Sequence, residues 1–248
     1  MAEATSEERS TAEPNILWQK LRGDFPIGSE PHARGQPAVV DIPNAALRES
    51  SSDADLGNFY AVGEAWAQLA MSLTTTSTPR IVDVGCGCGK MARFFVVNPQ
   101  VHYCGIDVFG PAIAWCLEAF QHFPNFRFEH LNVYSSIYNP AGAMQPATVV
   151  LPVKDGAADV VICASLFTHL LQPEFVRYIA ELGRILVPNG RALVSIHDEP
   201  KDSSFSGDAS RIDIDRSYFV DTVTATGLQV SRRIGAVYGQ QVYVLSKS

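Results

Sequence analysis

The chain has no run approaching the roughly 20 consecutive apolar residues that a bilayer-spanning helix needs, and no basic run anywhere along its 248 residues. The first absence excludes a helical membrane span. The second, with a formal net charge of -7 from 26 acidic against 19 basic side chains, argues against a polyanionic partner, because proteins that neutralise many phosphates carry a basic face. A signal peptide, basic and then apolar, is also missing: the chain begins MAEATSEERSTAEP, polar and acidic. These absences predict a soluble, cytoplasmic protein with no nucleic-acid partner; oligomeric state is left open, a homodimer included. The five cysteines, Cys86, Cys88, Cys104, Cys116 and Cys163, are an odd set lying mostly in apolar patterns, as reduced, buried thiols do. No second cysteine pair with finger-like spacing follows Cys86-Gly87-Cys88, so a zinc clip is not indicated.

What is present is the composition of one globular domain, 46% hydrophobic and 18% charged, long enough to bury an ample core. Residues 1–15, rich in Glu, Ser, Thr and Ala, read as a disordered tail. Residues 16–57 read as an irregular segment wrapped on the main body, with apolar anchors such as Leu17, Trp18, Phe25, Val39 and Val40. From residue 58 to 248 the pattern is regular. Apolar positions at helical spacing run from Phe59 to Leu73, and TTTSTP stops them. RIVDVG, VHYCGIDV, FRFEHLNV, ADVVICAS and RALVSIHD read as strands, KMARFFVV, GPAIAWCLEAFQHF, PEFVRYIAELGRIL and YFVDTVTATG as helices, and LQVSRRIGAV with QQVYVLSK as a terminal hairpin across Tyr238-Gly239. Strands alternating with helices, with nearly continuous apolar runs in the first and fourth strands, predict an α/β fold with a mostly parallel sheet, helices on both faces and an antiparallel edge.

Two features carry chemistry. Val82-Asp83-Val84-Gly85-Cys86-Gly87-Cys88-Gly89-Lys90 leaves a strand and opens a helix, where small residues let a ligand approach the backbone. The third glycine falls one residue early for a dinucleotide fingerprint, and Lys90 stands where its last glycine belongs. Asp107 ends the second predicted strand about 20 residues on, the position of an acid that binds both hydroxyls of a ribose.

Taken with Asp107, the runs Asp83-x-Gly85-x-Gly87-x-Gly89, Leu151-Pro152-x-x-Asp155-Gly156-Ala157-Ala158-Asp159 and Leu186-Val187-Pro188-Asn189-Gly190-Arg191 resemble the motif series of class I, Rossmann-like methyltransferases that use S-adenosylmethionine. The resemblance implies that cofactor and a seven-stranded sheet in the order 3-2-1-4-5-7-6. By position it implies Gly85, Cys86 and Gly87 against the methionine part, with Asp83 belonging to the same motif. It further implies Asp107 on the ribose, Val108 beside the adenine, Asn132 and Val133 at the adenine edge, and Ala164 and Tyr60 about the cofactor. The family more often has Asp where Asn132 stands; an amide can serve there.

A hydroxyl acceptor must lose its proton, and ligands in open sheets sit beyond the carboxyl ends of strands. His169, after the fourth strand, is the first candidate base, because an imidazole titrates near neutral pH. His197-Asp198-Glu199, after the fifth, is a second polar cluster: a base with an orienting carboxylate, a divalent-cation site (Mg²⁺) through Asp198 and Glu199, or a polar strand end. The Asn/Asp-Pro-Pro-aromatic sequence of N-methylating relatives is absent after the fourth strand, where Cys163-Ala164-Ser165-Leu166-Phe167 stands. The Phe-Thr-His-Leu run and the Tyr134–Tyr138 loop are similar to bacterial O-methyltransferases of sugars, glycosides and secondary metabolites. The expectation is an O-methyltransferase for a small or medium-sized acceptor, a glycoside or polysaccharide precursor in the first place. Tyr134, Tyr138, His32 and Trp18 are its available aromatic and polar contacts, and Pro200–Ser210 reads as a mobile flap. The alternatives are an N- or C-methyltransferase, a nicotinamide-dependent dehydrogenase and a cofactor-binding partner without turnover.

Overall fold

The computed structural model describes residues 40–51, 55–198 and 204–247, all within the unit Ala38–Ser248. The expected tail, Trp18, His32 and Glu199 lie outside the described residues. The chain runs through helices α1 (Ala45–Glu49) and α2 (Leu56–Ser72), strand β1 (Arg80–Val84), α3 (Ala92–Phe95), β2 (His102–Asp107), α4 (Gly110–Ala119) and β3 (Phe126–His130). It continues with β4 (Ala158–Cys163), α5 (Gln172–Ile185), β5 (Leu186–Ile196), β6 (Phe205–Asp208), β7 (Arg211–Ile214), α6 (Arg216–Ala225), β8 (Leu228–Val237) and β9 (Gln240–Lys247). The seven-stranded sheet has the order β3-β2-β1-β4-β5-β9-β8, which is the expected 3-2-1-4-5-7-6 once the separate β6-β7 hairpin is left out of the count. β1 to β5 are parallel, and β9 and β8 add antiparallel pairs at one edge.

Successive side chains of a strand face opposite sides, and both sides here are covered. Val82, Val84, Cys104, Ile106, Val161 and Cys163 share a buried cluster with Phe175 and Ile179 of α5 and Phe219 of α6. On the other side, Tyr103 of β2 lies against Phe95, Phe126 and Phe128 with ring centroids 5.3 to 5.7 Å apart. Parallel strands buried on both faces explain the near-continuous apolar runs.

The structure departs from the sequence expectation at two places that matter for the site. The helix expected over KMARFFVV is a single turn, α3, because Gly87 and Gly89 hold the preceding chain at φ 52° and 71°, outside helical space. The stretch read as a flap is, from Phe205 on, half of the β6-β7 hairpin, tied down where Ile212 N–H donates to Thr168 O at 2.9 Å and Ile214 N–H to His197 O at 2.8 Å.

α2 starts where the Asp55 carboxylate accepts the Asn58 N–H and packs through Gly63 directly on the loop after β1. A Cβ at Gly63 would press on the Lys90 carbonyl oxygen and lie 2.9 Å from the Phe94 ring and 3.0 Å from the Lys90 carbonyl carbon, closer than real contacts allow. Gly63→Ala is therefore expected to push α2 off this loop and lower the unfolding free energy by about 1–3 kcal/mol, the usual cost of overpacking. Urea titration of the two proteins checks this.

Candidate active site

The carboxyl end of β1 turns through Gly85, at φ 83°, a left-handed conformation that glycine adopts without steric cost. The turn is held by the neighbouring strand: Ile106 O accepts the N–H groups of Gly85 at 2.8 Å and Cys86 at 3.2 Å. One residue further along β2, Asp107 Oδ2 accepts the Gly87 N–H at 2.7 Å and Oδ1 the Phe109 N–H at 2.8 Å. Each oxygen thus carries one backbone donor and keeps lone-pair capacity for another. Burial pushes the Asp107 carboxyl above the usual carboxylate range, while the backbone donors oppose the shift.

Beneath the loop Asp83 is fully buried. Its Oδ2 accepts from the Tyr103 hydroxyl at 2.6 Å, and its Oδ1 has no hydrogen-bond partner among the described residues. Desolvation pushes this carboxyl up to about 7, with the Tyr103 bond opposing and the Asp107 charge reinforcing.

A cavity of about 490 Å³ opens over these strand ends. Of the residues singled out in the sequence, Gly85, Cys86, Gly87, Asp107, Val108, Val133, Ala164, His169 and His197 line it; Asp83 lies behind the loop. Three others are placed elsewhere. Tyr60 stands edge-on to Phe94 at 6.3 Å and accepts from Arg93 at 3.4 Å, so α2 presents Val62 and Trp66 to the cavity instead. Asn132 turns its Oδ1 to the loop that follows β3, accepting from Ala143 N–H and Asn139 Nδ2 at 3.4 Å. Asp198 is buried in an ion-pair node, where Oδ2 takes the Tyr243 hydroxyl at 2.6 Å, Arg216 at 2.9 Å and Arg233 at 3.5 Å. This oxygen ties the segment that follows β5 to α6, β8 and β9. Among the described residues no three His, Cys, Asp or Glu side chains gather as a metal site.

The far end of the cavity forms beyond β4. Ser165 sits at φ 56°, an uncommon conformation for a non-glycine residue, and such strain concentrates at functional sites. A ring of hydrogen bonds holds it there: its N–H donates to Ser195 Oγ at 2.8 Å, that hydroxyl to Gln240 Oε1 at 2.6 Å, and Gln240 Nε2 back to Ser165 Oγ. Four residues on, His169 Nδ1 lies 2.9 Å from the Ala209 carbonyl in the turn between β6 and β7. A carbonyl only accepts, so Nδ1 carries the proton of the neutral ring and Nε2 the lone pair. Tyr138 stands edge-on to this imidazole at 5.9 Å, and Tyr134 also lines the cavity. Glu174, Trp66, Lys90 and Gln240 are among the other lining residues. These four were not recognisable as site residues, because a polar residue at a turn or strand end and a tryptophan on an apolar helix stripe carry no site signal of their own.

These features suit S-adenosylmethionine. Asp107 has acceptor capacity for ribose hydroxyls, the loop exposes backbone where side chains would intrude, and the orphan Asp83 oxygen suits a cation beside the loop.

Residues 82–192 match the family model of a methyltransferase domain. A human protein described as a probable tRNA methyltransferase 9B is 29% identical over 119 residues, 47% of this chain. The chain spans 21% of that relative's length. Among solved structures, a TehB-like S-adenosylmethionine-dependent methyltransferase from Corynebacterium glutamicum superimposes with TM-score 0.54 at 18% identity, over 80% of this chain and 92% of the other. A second S-adenosylmethionine-dependent methyltransferase, from Aquifex aeolicus, gives 0.56 at 14% identity over 83% and 98%. The [4+2]-cyclase SpnF gives 0.57 at 15% identity over 74% and 81%, so the fold alone does not name the reaction. Residues 82–192, which hold the glycine loop and the acid that ends β2, are thus similar to a methyltransferase domain, and the solved structures share the fold.

The raised Asp83 carboxyl has a consequence for stability. In the unfolded chain the group ionises near its ordinary 3.8 and in the fold near 7, so between these values the folded state holds the extra proton. Stability contributed by this group therefore falls as pH rises from about 4 to about 7 and is level above. Thermal midpoints measured across this range should show the Asp83→Asn variant gaining on the wild type as pH rises; a constant difference would contradict the assignment.

Proposed function

We propose that this chain transfers a methyl group from S-adenosylmethionine to a hydroxyl of a small or medium-sized acceptor, with a glycoside or polysaccharide precursor as the first class to test. The observation that carries this reading is the imidazole of His169, fixed by the Ala209 carbonyl with its unprotonated nitrogen left for an acceptor proton, in the same cavity as the glycine loop and Asp107. When bound, S-adenosylmethionine supplies an electrophilic methyl group on a positively charged sulfur.

The chain's own groups do the rest. Asp107 and the loop backbone orient the adenosyl part, and Trp66, Val62 and Leu166 exclude water, which strengthens electrostatic interactions inside. His169 Nε2 accepts the hydroxyl proton as the acceptor oxygen becomes nucleophilic. Tyr134 and Tyr138 offer faces and edges of the kind that hold a sugar ring.

A second reading comes from the relative named for tRNA: a nucleic-acid acceptor. The net charge of -7 and the absence of a basic run favour the small molecule, since phosphate contacts dominate nucleic-acid affinity. Filter binding with unfractionated tRNA at low salt separates the two, and tight retention would favour the nucleic acid.

Two outcomes test the catalytic reading. Asp107→Ala should weaken calorimetric affinity for S-adenosylmethionine by about 1.5–3 kcal/mol, the range for charge-assisted hydrogen bonds. His169→Ala should leave that affinity in place while lowering turnover, followed with methyl-labelled S-adenosylmethionine and a panel of hydroxylated acceptors, by about 10²–10⁴-fold. Binding of NADH in place of the adenosyl ligands would return the chain to the dehydrogenases.

A further inference from the structure

The hydrogen bonds around Ser165 have a fixed direction. A backbone N–H only donates, so Ser195 Oγ accepts from the Ser165 N–H at 2.8 Å. Ser195 is fully buried, where a hydroxyl hydrogen without an acceptor is costly, and its hydrogen goes to Gln240 Oε1 at 2.6 Å. The Gln240 carbonyl is thereby turned to Ser195, and its Nε2, which only donates, meets Ser165 Oγ.

The Ser165 hydroxyl is left as a donor. Gln240 occupies a lone pair of its oxygen, its hydrogen has no acceptor among the described residues, and the residue borders the cavity. From here a turn carries the chain to the proposed base: Thr168 Oγ1 donates to Ser165 O at 2.8 Å, and His169 N–H to Leu166 O at 3.1 Å. The same cavity is therefore bordered by a hydrogen to give, on Ser165, and a lone pair to receive one, on His169 Nε2.

An acceptor molecule that uses both must bring two oxygens. The hydroxyl that attacks the methyl group gives its proton to His169. A hydrogen bond donated to that same oxygen would hold an electron pair needed for the attack, so the Ser165 hydrogen belongs on a neighbouring oxygen that does not react. We propose that Ser165, aimed by Ser195 and Gln240, binds the oxygen next to the methylated hydroxyl and makes the site selective for vicinal diols over isolated hydroxyls. The inference rests on the reading of the cavity as a site of methyl transfer to oxygen with His169 as base. Discrimination follows because an acceptor without the second oxygen leaves a buried donor unpaired.

The test pairs a missing acceptor oxygen with a missing serine hydroxyl. Methyl glycosides of hexoses and deoxyhexoses, with the monodeoxy analogue at each ring position, are assayed with methyl-labelled S-adenosylmethionine, and NMR of the product gives the methylated position. In the wild type, deleting a hydroxyl vicinal to the methylated one should lower kcat/KM by about 5–100-fold, the scale of a donor left unpaired. Ser165→Gly suits a positive φ and keeps the N–H to Ser195; in this variant the penalty should shrink to about twofold or less. Gln240→Glu, assayed at about pH 8 where a carboxylate is ionised, offers Ser165 an acceptor in place of a donor. The serine hydrogen then turns away from the cavity, and the penalty should vanish although the hydroxyl is still present. A Ser165 that served only to shape the turn would leave the penalty in place in both variants. Equal kcat/KM for the vicinal deoxy analogues and their parents in the wild type, methylation at a primary hydroxyl alone, or a penalty that survives in either variant would overturn the inference and leave methyl transfer to oxygen intact. A wild type that binds S-adenosylmethionine but methylates none of the glycosides would overturn the acceptor reading, and the inference with it.

Discussion

The loop after β1 hangs from the end of β2. Ile106 accepts two of its N–H groups and Asp107 a third, so the loop's position follows from the pairing of two parallel strands in register, Val84 beside Ile106. Any ligand that reads this backbone meets donors and an acid already ordered by folding. Preorganisation of this kind saves the entropy of arranging them when a ligand arrives. The arrangement has a cost: it draws Asp83 and Asp107 close together beneath and beside the loop, and burial pushes both carboxyls up.

Around this centre the remaining elements act as walls. α2 approaches through Gly63, whose missing side chain lets it touch the Lys90 carbonyl and brings Trp66 to the cavity. The two hairpins come from the far end of the chain, and each supplies a backbone or amide group to the segment after β4. The turn between β6 and β7 sets the His169 tautomer through Ala209, and the first residue of β9, Gln240, closes the ring that holds Ser165 in its strained conformation. Proposed base and strained serine are therefore both positioned by residues that follow them in sequence by 40 or more positions.

The same physics explains why structures of different chemistry superimpose on this one. β1 to β5 and the covering helices build the glycine-loop side of the cavity, whereas the side around His169 and Ser165 is assembled from loops and hairpins after β3, β4 and β5, and loops are where sequence varies most freely. A fold-level match thus speaks to the first half and leaves the acceptor to the particular side chains around His169 and Ser165.

The sequence by itself determined the order of the strands and helices of the main sheet and the glycine loop with its acid, while the sheet order came only with the family resemblance. These depend on local periodicity, on glycines that must adopt positive φ, and on a spacing of 20 residues between Gly87 and Asp107 that one strand-helix-strand unit imposes. It also singled out His169, because the end of a parallel strand is a fixed place in such a sheet. Only the tertiary structure decided that Asp198 joins an ion-pair node with Arg216, Arg233 and Tyr243, that Tyr60 and Asn132 turn away from the cavity, and that Lys90, Trp66, Glu174 and Gln240 face into it. Those assignments depend on which distant side chains reach one another across the sheet, and a residue's neighbours along the chain do not encode the direction in which its side chain points once loops and hairpins have packed.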